Sequence, residues 1–494
     1  MRSTIKIVIL LFFICISMSG ASFPDMEKYM RQHALIWEQL PMQWNEGAFL
    51  GNGLVGMMVY ADSTLNALVF HLGRPDVTDH RKAPYRKTSI GTEEADKMVD
   101  FCRLDVCKML LFPEGKILSG TFYLDIYNAE LTGHLKTDKG DLTFHAYTPQ
   151  PEEVNIVEVS SGVPYRWKGI PGNPCSPRIR VFPHLKEKLK YKDNPAPVVN
   201  QKDKEGSWVQ SLLAGGDYAT YWKEVPGGKS RSVLYVSTAN EVPASSLSLA
   251  KAMKTVEATQ ITGTKLLKQK TRQWWNAYHE RSFLSIPDKK LENFYFIQMY
   301  KLATCSHPDG PAMDVMGTFF KLSPWPSFWW NLNIQLTYMP IGPANRMEQG
   351  KNFQRLMDEV FPSLVRSIEP CKIGDYTWAL QNYYMYLRYA GADWQDIKQQ
   401  VVPKALDAFA VFDKILCYKE NTWHLTHIES PEYEGFQKYN DSNYGLASLS
   451  WLLQTLIACH DRTSSTHPDY ARWKEILTRL APYPTNENGL MIAA

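Results

Sequence analysis

The sequence predicts a multidomain β + α protein, with an N-terminal β-sandwich, a helical linker and a partial helical toroid in that order. Two observations predict this fold class. Apolar runs of strand length, separated by turn residues, recur between residues 44 and 239, and from residue 245 onward apolar residues recur at helical spacing. The length of 494 residues leaves room for several domains of ~100–200 residues each.

The β-sandwich, predicted over residues 22–244, rests on the close spacing of the strands. Residues 131–137 and 141–148 flank a turn from Asp138 to Gly140, a pattern typical of a hairpin with a three-residue loop. Further predicted strands cover residues 57–60, 67–72, 155–160 and 232–238. Many short strands separated by turns favour one or two packed sheets.

The helical half begins with a helical linker over residues 245–285. Over residues 286–494 the spacing of apolar residues then predicts long amphipathic helices with no strand between them. These helices cover residues 289–304, 345–365, 376–389, 394–416, 444–460 and 468–480. A closed toroid of six helical hairpins needs twelve helices, whereas six or seven are predicted here. Residues 486–494 resemble the middle of a loop, so we expect an incomplete toroid in a chain that is cut short.

The N-terminus has the order of a secretory signal peptide, predicted over residues 1–21. The first six residues include the positively charged Arg2 and Lys6. An apolar run covers residues 7–16, and small residues follow up to Ala21. The run is too short to cross a bilayer core of ~30 Å, and no later segment has the ~20 apolar residues of a membrane helix. We therefore expect export to the periplasm or the extracellular space, and no membrane span.

The amino-acid composition limits the classes of partner and cofactor that the protein is expected to bind. The formal net charge of +3 is small for this length and argues against a nucleic acid. The seven cysteines after the signal peptide are scattered, which is typical of neither a disulfide framework nor a zinc site, so we expect no metal and no cofactor. Cys102 and Cys107 either pair or stay as buried thiols. Aromatic residues make up 13% of the chain, which fits both stacking on sugar rings and large packed cores.

One motif that could take part in catalysis is the segment around Glu432. This residue follows Pro431, which stiffens the backbone, and Glu429 and Glu434 lie nearby in the chain. Crowded carboxylates raise one another's pKa, and a carboxyl group that stays protonated near neutral pH is what a general acid needs. The alternative is a solvated acidic loop.

A second motif combines amides with aromatic side chains. Asn331 and Asn333 lie two residues apart, directly after Trp330. In an extended loop both amides would face the same way, where they could hold sugar hydroxyls or orient a water molecule. The alternative is a pair of capping or turn asparagines.

Other patterns favour structural explanations. The glycines at residues 51, 53 and 56 lack the Lys-Ser/Thr pair of a phosphate-binding loop, so a tight turn explains them better. His424 and His427 lack a clear third metal ligand. No Gly-x-Ser-x-Gly motif stands at a predicted strand-to-helix turn, so a serine hydrolase has no support.

These motifs, in order along nearly all of the mature chain, resemble those of glycoside hydrolase family 95. That family contains the inverting α-L-fucosidases and α-L-galactosidases of the six-hairpin glycosidase superfamily. Residues 50–56 are similar to its Leu-Gly-Asn-Gly-x-x-Gly, residues 331–335 with Tyr338 to its Asn-x-Asn-x-Gln/Glu segment, and residues 430–432 to its Ser-Pro-Glu. Trp378 and Gly391 fall where the family has a Trp-rich helix before a Gly-Asp pair.

The resemblance implies an N-terminal β-sandwich, a helical linker, an (α/α)6 barrel and a small C-terminal β domain. It also implies roles: Glu432 would be the general acid, and Asn331 and Asn333 would position and activate the attacking water. An inverting mechanism separates acid and base by ~6.5–9.5 Å, and the family's base lies beyond the position of Ala494. The side chains expected to contact the oligosaccharide or polysaccharide substrate are Trp330, Gln335, Tyr338, Trp378 and His427.

Departures from the family pattern keep other functions open. Asn382 and Leu387 stand where the family has His and Tyr, and Tyr433 follows Glu432 in place of Asn, so the sugar pocket differs and fucose is only the leading candidate. A non-catalytic carbohydrate-binding protein on the same scaffold is one alternative. A toroid polysaccharide lyase that uses Asn331 with His427 is another.

Overall fold

The structure is a computed structural model of the chain. It describes residues 25–79, 102–328, 332–366, 368–429 and 437–493. Long strands occupy the part up to residue 241, and helices dominate from residue 248 onward. The molecule therefore combines antiparallel β-sheets with a separate run of helices.

Two antiparallel sheets form the N-terminal half. The strands, numbered in chain order, are β1 Leu35–Trp37, β2 Ala48–Gly51, β3 Gly56–Asp62, β4 Ala67–Gly73, β5 Cys107–Pro113, β6 Ile117–Asp125, β7 Glu130–Thr137, β8 Gly140–Tyr147, β9 Val154–Ser161, β10 Tyr165–Pro171, β11 Val198–Gln201, β12 Glu205–Ser211, β13 Asp217–Pro226 and β14 Arg231–Glu241. The larger sheet has nine strands in the order β1-β6-β7-β8-β9-β14-β13-β12-β11. The smaller sheet has five, in the order β10-β5-β4-β3-β2.

The two sheets pack face to face through aromatic rings and aliphatic side chains. Phe70 of β4 in the smaller sheet lies 5.5 Å from Phe144 of β8 in the larger sheet, measured between ring centroids. Along β7 most positions alternate between buried and exposed, as expected for a sheet with one face in a core and the other toward solvent. Burial of one face of each sheet therefore holds this half together.

The hairpin between β7 and β8 differs slightly from its prediction. Thr137 pairs directly with Gly140, so the loop contains only Asp138 and Lys139. The predicted three-residue loop is wrong because Gly140, with a φ of 146°, already belongs to the strand. The Thr137 hydroxyl accepts hydrogen bonds from the N–H groups of Lys139 and Gly140, which stabilises the tight turn.

Most of the predicted helices are present, but two are divided. The α-helices are α1 Met26–Met30, α2 Pro177–Val181, α3 Leu185–Lys188, α4 Ser248–Thr262, α5 Thr264–His279, α6 Lys289–Cys305, α7 Asn333–Tyr338, α8 Lys351–Glu359, α9 Phe361–Arg366, α10 Ile373–Tyr389, α11 Trp394–Gln400, α12 Val402–Phe412, α13 Asn443–Thr463 and α14 Tyr470–Thr478. The helix predicted over residues 345–365 divides at Val360, after a short 3-10 turn over Met347–Gly350. The one predicted over residues 394–416 divides at Val401, because Pro403 has no N–H group and favours the start of a new helix.

Short strands interrupt the helical half, so the prediction of uninterrupted helices is wrong. They are β15 Leu416–Lys419, β16 Thr422–Leu425, β17 Ile428–Glu429 and β18 Lys438–Tyr439, which pair as β15 with β16 and β17 with β18. Glu420 and Asn421 join the first pair with φ values of 52° and 63°. Two successive positive φ values make the tight hairpin turn that matches strand twist, and they end helical structure here.

Helices α4 and α5 connect the two halves. Helix α4 packs on β13 and β14, where Val256 joins Tyr235 and Ile156 in a small core on the outer face of the larger sheet. Trp275 and Tyr278 of α5 join the main core of the sheets instead. The segment predicted as a helical linker is therefore packed against the strands along its length.

In the C-terminal half, helix α10 is central. It contacts α7, α8, α12 and α13, and the shared core is built from aliphatic and tyrosine side chains of all of these helices. Closure of these helices into an (α/α)6 toroid stays a prediction. Within the described ranges, no helix has both the length and the apolar character needed to cross a membrane.

Candidate active site

Three helices of the C-terminal half, α7, α10 and α13, are joined through their first turns. The Gln335 side-chain amide of α7 donates a hydrogen bond to the backbone carbonyl of Asp375 in α10, at 2.9 Å. The Tyr444 hydroxyl of α13 donates to the Asp375 carboxylate oxygen Oδ1, at 2.7 Å. Asp375 therefore lies at the centre of a polar cluster to which three helices contribute.

Glycine allows these first turns to approach closely. A Cβ atom on Gly374 would lie 2.4 Å from Cε1 of Tyr444, and one on Gly445 would lie 2.7 Å from Cδ1 of Ile428. Carbon atoms pack at ~3.5–4.0 Å, so a larger residue at either position would force the neighbouring ring or side chain away. The position of the Tyr444 ring thus depends on a glycine next to Asp375.

The environment of Asp375 favours its protonated form. The side chain is only 4% exposed. Burial raises the pKa of Asp375 to about 7, and the nearby Glu429 charge acts in the same direction. The hydrogen bond from Tyr444 and the positive charge of Lys372 act in the opposite direction without cancelling the rise. This carboxyl group therefore titrates near neutral pH, which a solvent-exposed aspartate does not do.

Tyr444 also lines a cavity of about 270 Å³ between α10 and α13. The cavity is lined by Thr377, Trp378, Gln381, Tyr444, Ala447, Ser448 and Trp451. Burial raises the pKa of Tyr444 well above its usual value, so its hydroxyl keeps its proton and remains a donor to Asp375. Indole rings combined with a few polar groups are typical of a site for a small molecule.

Gln335 supplies a buried acceptor at the edge of the cluster. The residue is fully buried, and its side-chain oxygen Oε1 has no hydrogen-bond partner in the part of the chain that the structure describes. An unsatisfied buried acceptor costs roughly 1–3 kcal/mol, so such groups usually bond to a water molecule or a ligand. The Gln335 backbone carbonyl accepts a hydrogen bond from Asn382, which fixes α7 against α10.

The acidic motif begins at the same cluster. Strand β17 ends at Glu429, which faces Lys438 of β18 in antiparallel register. Strand β17 contacts helix α10, and the charge of Glu429 helps to raise the pKa of Asp375. Glu432, the predicted general acid, lies outside the described residues, as do Asn331 and Trp330.

Asn333 does not lie in the extended segment that its spacing predicts. It is the first residue of α7 and is exposed, and it follows Leu332, which has a φ of 64°. The extended interpretation is wrong for Asn333, because the backbone has already become helical there. Its side chain therefore belongs to the first turn of a helix, the same turn as Gln335.

Tyr338 and His427, both predicted to contact substrate, lie elsewhere. Tyr338 is 5% exposed, and its hydroxyl accepts from the Met313 N–H and donates to Asn352, so it supports packing beneath α7. Both functions of its hydroxyl are therefore used inside the protein, and contact of Tyr338 with substrate stays a prediction. His427 is exposed in the link between β16 and β17, and its backbone N–H donates to Asn440. Neither side chain lines the cavity between α10 and α13.

Among the predicted substrate-binding residues that the structure describes, Trp378 lines the cavity. Sequence reasoning missed Asp375 and Tyr444. Asp375 lies directly before the helix predicted over residues 376–389, where aspartate is an ordinary capping residue, so no local pattern marked it. Tyr444 was not marked either, since tyrosine is ordinary at a helix start.

Comparisons with known proteins support the fold. No family model matches the chain, and a search of curated proteins finds no match. Among solved structures, a protein described as a kojibiose phosphorylase from human microbiome matches with a TM-score of 0.58 and 9% identity, over 90% of this chain and 67% of that chain. A bacterial glucoamylase complexed with acarbose matches with a TM-score of 0.48 and 10% identity, over 90% and 69% of the two chains.

These matches concern the fold alone: the chain shares its arrangement of sheets and helices with the first of the two proteins. They do not single out glycoside hydrolase family 95, so membership of that family and the choice of fucoside or galactoside stay predictions.

Proposed function

We propose that this protein is an exported glycoside hydrolase that removes terminal sugars from glycans by an inverting acid/base mechanism. The observation that carries the proposal is the cluster of Asp375, Tyr444 and Gln335 beside an aromatic cavity, at the point where the acidic motif begins. The fold shared with a protein described as a kojibiose phosphorylase supports cleavage of a glycosidic bond as the kind of reaction. Six-hairpin closure of the helices belongs to this proposal.

In this mechanism Glu432 donates a proton to the leaving oxygen of the glycosidic bond. Glu432 lies three residues beyond Glu429 in the chain, and Glu429 pairs with Lys438 between β17 and β18. A carboxyl group close to other carboxylates keeps its proton at a higher pH, as a general acid must. Asn331 and Asn333 position the attacking water, as amides can without adding charge, and a second carboxylate acts as the general base that takes the proton from this water.

The sugar ring is proposed to lie against Trp378. An indole face presents an apolar surface to the C–H face of a sugar, and Gln381 and Ser448 in the same cavity can bond to its hydroxyls. The free acceptor of Gln335 is a further group that a sugar hydroxyl or an ordered water molecule can satisfy. An α-L-fucoside or α-L-galactoside is the leading candidate substrate.

The deciding experiment compares Glu432→Gln with Glu420→Gln, whose side chain is 81% exposed, in the protein as the organism makes it. Loss of the proton donor should reduce hydrolysis of an unactivated glycoside by about 10²–10⁴-fold, whereas the surface substitution should leave the rate near that of the wild type. The assay uses oligosaccharides ending in α-L-fucose or α-L-galactose, and chromatography detects the released sugar. Equal rates for the two variants would remove Glu432 from the mechanism.

The same assay separates the competing reactions. Product formed only in the presence of inorganic phosphate would identify a phosphorylase, and an unsaturated product that absorbs ultraviolet light would identify a lyase. Glycan binding without any turnover would identify a carbohydrate-binding protein. Export is tested by sequencing the N-terminus of the mature protein, which should begin just after Ala21.

A further inference from the structure

A groove of about 760 Å³ crosses the outer face of the nine-stranded sheet, in the half of the molecule that the proposed hydrolytic site does not use. It runs over the neighbouring strands β6, β7, β8, β9 and β14. Thr264, the first residue of α5, lies at its border. Helix α4 covers another part of this face, but no described segment covers the groove, which we call the sheet groove.

The strand register arranges the lining side chains in two rows. One row consists of Tyr123, Thr132, His145, Glu158 and Val233, which are successive partners across the five strands. The second consists of Thr121, His134, Thr143, Ser160 and Arg231. Neighbouring strands are ~4.8 Å apart, so each row extends over roughly 19 Å. That length suits a chain-like ligand lying across the strands.

The two rows carry mostly polar groups that both donate and accept hydrogen bonds. Four are hydroxyl groups of threonine or serine and two are imidazoles, so most of the ten side chains can bond to a hydroxyl group in either direction. The charges of Glu158 and Arg231 are opposite in sign. The surface therefore matches a neutral ligand rich in hydroxyl groups better than a polyanion or an apolar protein segment.

An apolar platform lies at one end of the groove. Tyr123 is 37% exposed, and its partner on the edge strand β1 is Ile36, which is 68% exposed. Both residues line the groove. An exposed aromatic ring beside an aliphatic side chain offers a surface for the C–H face of a sugar ring.

Ion pairs fix the polar groups at the inner side of the groove. His145 lies 2.9 Å from the Glu130 carboxylate, which also accepts two hydrogen bonds from Arg272 of α5. Lys268, also of α5, donates to Glu158 at 3.1 Å. His145 and Glu158 are thus held in place before any ligand arrives, and prior ordering of a binding surface reduces the entropy lost on binding.

From this arrangement we propose that the sheet groove is a second, non-catalytic binding site for a neutral oligosaccharide chain. The chain lies across the five strands, with one sugar ring on Tyr123 and its hydroxyl groups bonded to the two polar rows. The proposal concerns binding alone and does not depend on the hydrolytic function of the helical half.

The test measures binding of neutral hexasaccharides to the full chain by isothermal titration calorimetry. The probes are maltohexaose, cellohexaose, xylohexaose and galactohexaose, with a heparin hexasaccharide as the charged comparison. At least one neutral probe should bind, and Tyr123→Ala should weaken that binding about tenfold or more. Tyr483→Ala is the matched control, because Tyr483 is 40% exposed but lies outside the groove.

A further variant keeps this result separate from the proposed hydrolytic site. Trp378→Ala alters the cavity between α10 and α13 and should leave the affinity for the neutral probe unchanged. The proposal is overturned if no neutral probe binds, if heparin binds more tightly than all of them, or if the two tyrosine variants behave alike. Self-association of the chain that Tyr123→Ala abolishes would also overturn it, by assigning the groove to a second copy.

Discussion

At the scale of single residues, the protein contains a buried carboxyl group, that of Asp375, whose neighbours leave its pKa close to 7. Asp375 accepts a hydrogen bond from Tyr444, yet burial and the charge of Glu429 outweigh that bond and keep its pKa high. A surface aspartate would be fully ionised at pH 7. Tyr444 both lines the cavity and donates a hydrogen bond to Asp375. The protonation of Asp375 is therefore linked to the cavity through Tyr444.

The first prediction concerns the pH dependence of stability. Asp375 has a pKa of about 7 in the folded protein, against ~3.9 for an unfolded chain. Between these values the folded state keeps a proton that the unfolded state has released. The contribution of Asp375 to the free energy of unfolding is therefore greatest below about pH 4, falls as the pH rises toward 7, and is constant above.

Replacing Asp375 with Asn should remove this pH-dependent loss. Urea unfolding gives the free energy of unfolding of each protein. The value for the wild type minus that for the variant should fall by on the order of 2–4 kcal/mol between about pH 4 and about pH 8. Asp309→Asn is the control, because the Asp309 side chain is 88% exposed. Parallel pH curves for wild type and Asp375→Asn would contradict the assigned environment.

At the scale of elements, helix α5 is held to the sheets by two kinds of contact. Its polar side carries Arg272 and Lys268, which pair with glutamates of the larger sheet. Its apolar side inserts Trp275 into the main core, where the ring lies 4.9 Å from that of Tyr300 in α6. One helix therefore joins the strands to the first helix of the C-terminal half.

The second prediction compares the adjacent tryptophans of this helix. Trp275 is fully buried, whereas Trp274 is only partly buried. Trp275→Ala should lower the free energy of unfolding by ~3–5 kcal/mol, because it removes a large buried ring and leaves a cavity. Trp274→Ala should cost clearly less in the same chemical unfolding experiment. Similar losses for both variants would show that the core does not depend on the inward-facing ring.

At the scale of the whole molecule, a buried ion pair ties the β half to the segment that follows α6. Arg103 is 1% exposed, and its guanidinium group donates to the Asp314 carboxylate at 3.1 Å and to the Gly317 carbonyl at 2.6 Å. Burial raises the pKa of Asp314, and the Arg103 charge opposes that rise. Removing the arginine would therefore leave a buried carboxylate without its counter-charge.

The third prediction tests that connection. Arg103→Met should lower the free energy of unfolding by roughly 3–5 kcal/mol, the usual cost of breaking one side of a buried pair. Differential scanning calorimetry should also show the single transition separating into two, as the halves lose their connection. Arg31→Met is the control, because Arg31 pairs with Glu27 on the surface and should unfold like wild type. An unchanged single transition for Arg103→Met would place the coupling elsewhere.

Sequence patterns predicted the elements better than the site. Alternating residues located β7 and β8 closely, and helical spacing located α10 and α13, because burial of one face produces a repeating signal. The division at Val401 and the strands around Asn421 escaped prediction, since each depends on a local proline or turn conformation. Trp378 was identified and lines the cavity, but Asp375 was not, because its importance comes from two helices far away in the chain.

The sequence by itself determined the order of strands and helices, and it placed an aromatic residue and an acidic motif in the helical half. Those features are local, because backbone periodicity and side-chain chemistry act over a few residues. Only the tertiary structure decided that Asp375 meets Tyr444 across 69 residues of chain and that two rows of polar side chains align across five strands. Both results depend on packing and register, which bring together groups that no local pattern connects.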